Sequence, residues 1–187
     1  MKDLILSILD KKNTAAPSVF LPAALLREAR RQKNLPAVNV PAVCILDPDG
    51  DMIRRLRKSG EARLFKPWAC YHTQLDTFTL AGQTVGIVGC AVGAPFAVLV
   101  AEQLFASGCR LLLSITSAGQ ITPSAAPPYF VIIALYAFAS SAKVQVLCLA
   151  HVTNTMGQAG DDFEKGEADG TRDALTVLEN LVSVFQT

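Results

Sequence analysis

The stretch PPYFVIIALYAFASSAKVQVLCLAHVTNTM, Pro127 to Met156, constrains the fold more than any other part of the chain. Residues 129–133 read as a buried strand, 134 to about 142 as a helix, and 144–149 as a second buried strand. Strand, helix and strand in succession, with almost no polar residue in either strand, belong to an α/β protein whose sheet is covered on both faces. The join is unusual. Between Ile133 and Ala134 there is no Gly, Pro, Asn or Asp, where such connections ordinarily take about 2–6 residues of turn chemistry.

The same alternation runs along the rest of the 187-residue chain. SVFLPAALLREARRQKNLP predicts an amphipathic helix over 22–33, with Ala24, Leu25, Leu26 and Ala29 inward and Arg27, Arg30, Arg31 and Lys33 outward. AVCIL predicts a strand, DPDGD a turn, and MIRRLRKSG a short basic helix closed by Gly60. LDTFTLAGQTVGIVG predicts a β-hairpin turning near Ala81-Gly82. CAVGAP leads into a helix over 96–107 with Gly108 at its end, and RLLLSIT reads as a strand covered on both faces. GQAGDDFEKGEADG is an acidic loop, and TRDALTVLENLVSVF is a last helix capped by Thr171 or Asp169. There is no repeat, low-complexity tract or linker. The expectation is one α/β domain over 1–187, three layers deep (α/β/α) around a central mixed, largely buried sheet, with 1–40 as an N-terminal helical extension.

Composition narrows the partners. The chain is 51% apolar and 18% charged, an excess of core-forming residues that points to a buried sheet, a subunit interface, or both, and so to a homo-oligomer. A net charge of +1 favours neither nucleic acid nor an anionic membrane. The N-terminus, MKDLILSILDKKNT, has its apolar run broken by Asp3 and Asp10 and reads as no signal peptide. The longest apolar run, 129–139, is too short to span a bilayer. Five cysteines without C-x-x-C spacing read as reduced core residues of a cytoplasmic protein.

Ligands of α/β sheets gather beyond the carboxyl ends of the strands, and four strand ends carry polar or glycine-rich residues. ILDPDGDMIRR places backbone N–H groups around Gly50 at a helix start, with Arg54 one turn in, which suits an anion; an ordinary Asp-Gly turn before a solvated basic helix is the plainer reading. GIVGCAVGAP lets Gly89 and Gly93 turn the chain tightly into a helix opened by Pro95, or merely packs strand on helix; Ala91 keeps it from being G-x-G-x-x-G. SITSAGQI ends a buried strand in Thr116 and Ser117, followed by Ala118 and Gly119. Those hydroxyls and bare backbone could hold a phosphate or a flat ring, or simply cap a turn. LCLAHVTNTM ends in Thr153 and Asn154, whose carboxamide can donate and accept to a base edge or close an Asx-turn. His151 reads as a core histidine, His72 has no assigned place, and Asp161, Asp162, Glu164, Glu167 and Asp169 lack metal-loop spacing.

Together these segments resemble the nucleoside phosphorylase superfamily, which includes purine nucleoside and uridine phosphorylases and related nucleosidases. GDMIR (50–54) is similar to that family's G-D-P-x-R phosphate loop, with Met52 in place of proline. VGCAVGAP followed by EQLFASGCRLLLSITSAGQI resembles its glycine turn, helix, and strand ending in a phosphate- and base-facing loop. ALYAFA and VQVLCLAHVTNTM resemble its late helix and base-binding strand. The resemblance runs from Ala42 to the C-terminus. It implies phosphorolysis of the N-glycosidic bond of a purine or pyrimidine nucleoside to a base and ribose 1-phosphate. Phosphate would be held by Gly50, Arg54 and Ser117, and the base by Ala118, Gly119, Thr153 and Asn154. Asn154 would be the catalytic residue. Inorganic phosphate is the co-substrate, no metal or organic cofactor takes part, and neighbouring subunits often complete each other's sites.

Three departures qualify that picture. The family's strand corresponding to 129–133 is followed by further strands and a Met-Glu pair that holds the ribose hydroxyls; all of this is absent, so Ile133–Ala134 reads as a junction, either a deletion or a break in the visible chain. Ser114 stands where members commonly carry a phosphate-gripping arginine. Asn154 stands where many have a catalytic Asp, as in the branch of purine phosphorylases that use Asn. A water-dependent nucleosidase, which loss of the arginine would suit, and a protein that binds a nucleoside or base without turnover are the alternatives.

Overall fold

The sheet is organised by its central strand, β1 (Val43–Asp47), in which every residue is buried. Alternate side chains of a strand face opposite ways, so Val43 and Ile45 join one apolar cluster while Cys44 and Leu46 join the other. A strand with two apolar faces requires a layer of helices on each. The structure, a computed structural model, describes residues 13, 15, 16, 18, 20–120, 133–155 and 167–185; at 119, 120, 133, 153–155 and 167–169 it describes the backbone alone.

β1 is flanked by two parallel neighbours, β4 (Gln83–Gly89) and β5 (Leu111–Gln120), and β5 pairs in parallel with β6 (Gln145–Thr155). On the other side β4 is antiparallel to β3 (Asp76–Leu80), and β3 to the short β2 (Arg63–Leu64). The order is therefore β2-β3-β4-β1-β5-β6, a mixed sheet as expected. Helices α1 (Pro22–Lys33), α3 (Ala94–Ala106) and α4 (Ile133–Ala142) lie on one side of it. On the other, α2 (Asp51–Lys58) and α5 (Glu167–Val184) contribute Ile53, Leu56, Leu178 and Val182 to the core. The three-layer arrangement is that read from the sequence.

The β3–β4 hairpin turns through Ala81 and Gly82 at φ of 49° and 74°. Two consecutive positive values are the signature of the turn whose twist matches paired strands. Asp76 at the start of β3 is buried and pairs with Arg57, which fastens the hairpin to α2.

Several boundaries differ from the sequence expectation. Arg30 does not face solvent: its guanidinium turns toward α3 and donates to the Ser107 hydroxyl at 3.3 Å. β5 runs four residues beyond RLLLSIT, to Gln120, and β6 six beyond Leu149, to Thr155, because each is the other's hydrogen-bonding partner over its whole length. α5 begins at Glu167, so Asp169 and Thr171 lie inside the helix instead of capping it. Ile133 is not the last residue of a strand but the first of α4, and the helix runs on through Ala134 without a break. The rest of the expected strand 129–133 and most of the acidic loop, with Asp161, Asp162 and Glu164, lie outside the described residues. Among the described residues no helix is long and apolar enough to cross a membrane.

Ala81 occupies a left-handed position that costs a residue with a Cβ roughly 1 kcal/mol. Ala81→Asn, which creates the Asn-Gly pair favoured in such turns, is expected to raise the unfolding free energy by about 0.5–1 kcal/mol in urea titration, with no change in the slope. An unchanged midpoint would show that the turn is not strained.

Candidate functional site

The carboxyl ends of β4, β1, β5 and β6 lie along one rim of the sheet, and the chain leaves β1 and β4 toward opposite faces, through α2 and α3. That divergence opens the crevice in which sheets of this kind bind ligands. Its floor is built on Asp47, only 3% exposed. The carboxylate accepts the Gly50 N–H at 3.1 Å and the Ile53 N–H at 2.9 Å, and so caps α2 from the end of β1. The Asp47 carbonyl accepts the N–H groups of Gly50 and, from the end of β4, Cys90. Burial pushes the Asp47 carboxyl above its ordinary range; the N–H bonds from Ile53 and Gly50 pull it back, and the nearby Asp49 and Asp51 charges add to the rise.

Gly50 has φ of 78°, and a Cβ there would lie 2.5 Å from Cys90 Sγ and 2.8 Å from Arg54 Nη1. Only glycine fits. Gly89 is equally constrained, since its Cβ would meet Ile53 Cγ2 at 2.4 Å. The two glycines let the β1–α2 and β4–α3 connections touch. Cys90, exposed and itself at φ of 61°, stands beside them with its sulfur 4.0 Å from Arg54 Nη1.

The sequence-derived phosphate residues are close together, yet their groups are already engaged. The Gly50 N–H is turned inward onto Asp47. Arg54 Nη2 donates to the Asp49 carbonyl at 3.0 Å and pairs with the Asp51 carboxylate, while most of its side chain is in solvent. The Ser117 N–H donates to Asp49 Oδ2 at 2.6 Å, and the Thr116 hydroxyl to the same oxygen at 3.2 Å. Arg54 and Ser117 thus converge on one residue, Asp49, which sequence reasoning did not single out. The signal was present: three aspartates at alternate positions 47, 49 and 51, with one arginine a turn away.

The base-side candidates lie where β5 and β6 run past the end of β1. β1 pairs with β5 only as far as Ser114, while β5 and β6 continue as a two-stranded ribbon. Along it Ser117 is opposite His151 and Ala118 opposite Val152. After a register shift at Ala118/Gly119, Gly119 faces Asn154. The ribbon therefore brings Ala118, Gly119, Thr153 and Asn154 to one end; the Thr153 and Asn154 side chains lie outside the described residues. His151 is partly buried opposite Ser117, and His72 stacks edgewise on Phe96 in the first turn of α3. Ser114 is buried, and its hydroxyl has no hydrogen-bond partner among the described residues. Nor, among the described residues, is there a cluster of side chains able to hold a metal ion.

No protein-family model matches the sequence, and no curated protein matches it. Solved structures do. This is the nucleoside phosphorylase fold. Schistosoma purine nucleoside phosphorylase in complex with guanosine superposes with a TM-score of 0.57 at 10% identity, over 88% of this chain and 98% of that one. The Schistosoma mansoni enzyme in complex with adenosine gives 0.55 at 10% identity, over 90% and 100%. A Campylobacter jejuni 5′-methylthioadenosine/S-adenosyl homocysteine nucleosidase gives 0.53 at 10% identity, over 77% and 97%. The fold that the sequence resemblance implied is the one observed.

Asp47→Ala leaves the Ile53 N–H buried without a partner and is expected to cost about 1–2 kcal/mol of stability, measured by chemical denaturation. The raised carboxyl makes the native state hold its proton longer than the unfolded chain, for which 3.8 is the reference value. Stability contributed by Asp47 is therefore complete below that value and declines as pH rises through the native-state pKa above it. The wild-type advantage over Asp47→Ala should shrink across that window, and an advantage that grew with pH would contradict the assignment.

Proposed function

We propose that the protein binds a nucleoside across the rim formed by β1, β5 and β6 and cleaves its N-glycosidic bond, with inorganic phosphate as the attacking group and no metal or organic cofactor. The observation that carries this reading is that Arg54, Thr116 and the Ser117 N–H all engage one residue, Asp49, Arg54 at its carbonyl and the other two at its carboxylate, beside the ribbon end that holds Gly119 and Asn154, within a nucleoside phosphorylase fold. The solved structures that share the fold include phosphorylase complexes with guanosine and with ribose 1-phosphate.

Breaking the bond leaves the bonding pair on the base nitrogen and positive charge on the ribose. A phosphate held by Arg54, Thr116 and Ser117 stabilises that positive charge and then forms the new C–O bond, giving ribose 1-phosphate. The base takes up, by way of solvent, the proton that hydrogen phosphate gives up on forming that bond. Asn154 steadies it by hydrogen bonding, as donor and as acceptor, and Ala118, Gly119 and Thr153 complete the base side. Much of the acceleration comes from holding the reactants in place. Water in place of phosphate is the second reading, and the Asp49 carboxylate already on the Ser117 N–H is the observation behind it. A homo-oligomer is part of the proposal, supported by the exposed Phe20, Leu21 and Val38. A cytoplasmic setting fits five free cysteines.

Incubation with a nucleoside panel, with and without phosphate, separates the readings. Base release that requires phosphate and yields ribose 1-phosphate supports phosphorolysis, phosphate-independent release supports hydrolysis, and binding without release contradicts both. Arg54→Ala should raise KM for phosphate at least tenfold while leaving the unfolding transition nearly unchanged.

Asn154 carries the specificity. A neutral carboxamide matches a base with an adjacent ring N–H and carbonyl, so inosine or guanosine should be preferred to adenosine. Asn154→Asp is expected to move kcat/KM toward adenosine by tenfold or more, equivalent to about 1–3 kcal/mol. Equal inosine-to-adenosine ratios in the two proteins would remove Asn154 from base recognition.

A further inference from the structure

The three aspartates at the end of β1 have separate roles. Asp47 caps α2, and Asp51 pairs with Arg54. Asp49 does neither. Its carboxylate leaves its own loop and crosses to β5, where Oδ2 accepts the Ser117 N–H at 2.6 Å and the Thr116 hydroxyl at 3.2 Å, with Oδ1 3.4 Å from the same hydroxyl. These are the donors a tetrahedral oxyanion would use at this strand end, and they are aimed at a carboxylate carried by the protein. Arg54 Nη2 donates to the Asp49 carbonyl at 3.0 Å. Ser114, 1% exposed, sits one pleat deeper on the same face of β5 as Thr116, with its hydroxyl unpartnered among the described residues. The strand end therefore presents more donors than the one carboxylate satisfies.

We propose that Asp49 is a specificity-determining residue, an internal anion seated in the oxyanion cradle at the end of β5, which phosphate must displace before it can bind. The inference rests on the phosphate reading of this rim given above. A carboxylate and a phosphate dianion cannot share the Ser117 N–H, and two like charges within a few ångströms repel. Asp49 thus holds phosphate affinity down and favours an uncharged occupant of the cradle. A plain structural tie between the β1–α2 loop and β5 makes the opposite forecast, because cutting a tie loosens the cradle and weakens every ligand in it.

Isothermal calorimetry with inorganic phosphate, at fixed ionic strength and without nucleoside, tests this on wild type, Asp49→Asn and Asp49→Ala. Asp49→Ala frees the donors and should bind phosphate at least tenfold more tightly than wild type. Asp49→Asn keeps the shape and an acceptor but loses the charge, and should fall between them. The gain should shrink as salt is raised. In the unaltered protein, the Ser117 amide and the Asp49 carboxyl carbon should shift together in NMR over the phosphate concentrations that saturate the calorimetric signal. Equal or weaker phosphate binding by both folded variants, no phosphate binding by any of the three proteins, or a Ser117 amide that stays still while phosphate binds would each overturn the proposal. Because phosphate is read without nucleoside, tighter binding by Asp49→Ala alongside no nucleoside cleavage by any protein would overturn the proposed reaction and leave Asp49's role standing. Phosphate-dependent cleavage with an unaltered KM for phosphate in Asp49→Asn would do the reverse.

Discussion

The buried carboxylate of Asp47 is the constraint on which the arrangement of the rim depends. A charge that is 3% exposed is costly unless donors surround it, and the donors here are backbone N–H groups from the start of α2. Satisfying them fixes where α2 begins and obliges Gly50 to take a left-handed conformation. The Asp47 carbonyl then holds Cys90, so the ends of β1 and β4 are fastened at the same point. With Asp47 inward and Asp51 on the first turn of α2, Asp49 is left to reach across to β5. One buried acid thereby decides which of the three aspartates faces the crevice.

Much of the fold is legible in the sequence because its signals are local. α1 begins at a proline and ends at Lys33 before an asparagine at φ of 52°, and the hairpin turns at Ala81-Gly82 as read. The differences arise where a distant partner decides. Arg30 reads as solvent-facing by helical period, yet the hydroxyl of Ser107 draws it inward. SAGQ contains small and polar residues that do not signal a strand, and it becomes one because the end of β6 gives its backbone a partner. Asp169 and Thr171, read as helix caps, lie within α5, which starts at Glu167.

The candidate site is legible in a different way. Residue types at strand ends locate the rim, and the resemblance assigns them roles, but neither shows which groups are already paired. A glycine turn before a helix advertises free N–H groups; here Asp47, four residues earlier than Asp51 and indistinguishable from it in composition, accepts two of them. Asp49 went unnoticed for the complementary reason. Its partners, Thr116 and Ser117, lie more than sixty positions away in sequence, and no periodicity links a turn residue to a strand that far off.

The elements around Ile133–Ala134 obey the same logic of pairing. The family resembled here carries further strands between its counterparts of β5 and α4, and loss of strands from a sheet ordinarily leaves unpaired backbone behind. In this chain β5 pairs directly with β6 from Leu111 to Gln120, so no gap opens between them, and among the described residues β6 is the edge of the sheet. α4 covers that edge region: Tyr136 accepts the Cys148 N–H through its hydroxyl at 3.0 Å, and Leu135 is fully buried. The pairing that joins β5 to β6 is thus also what carries their ends past β1, to the rim where Ala118, Gly119, Thr153 and Asn154 come together.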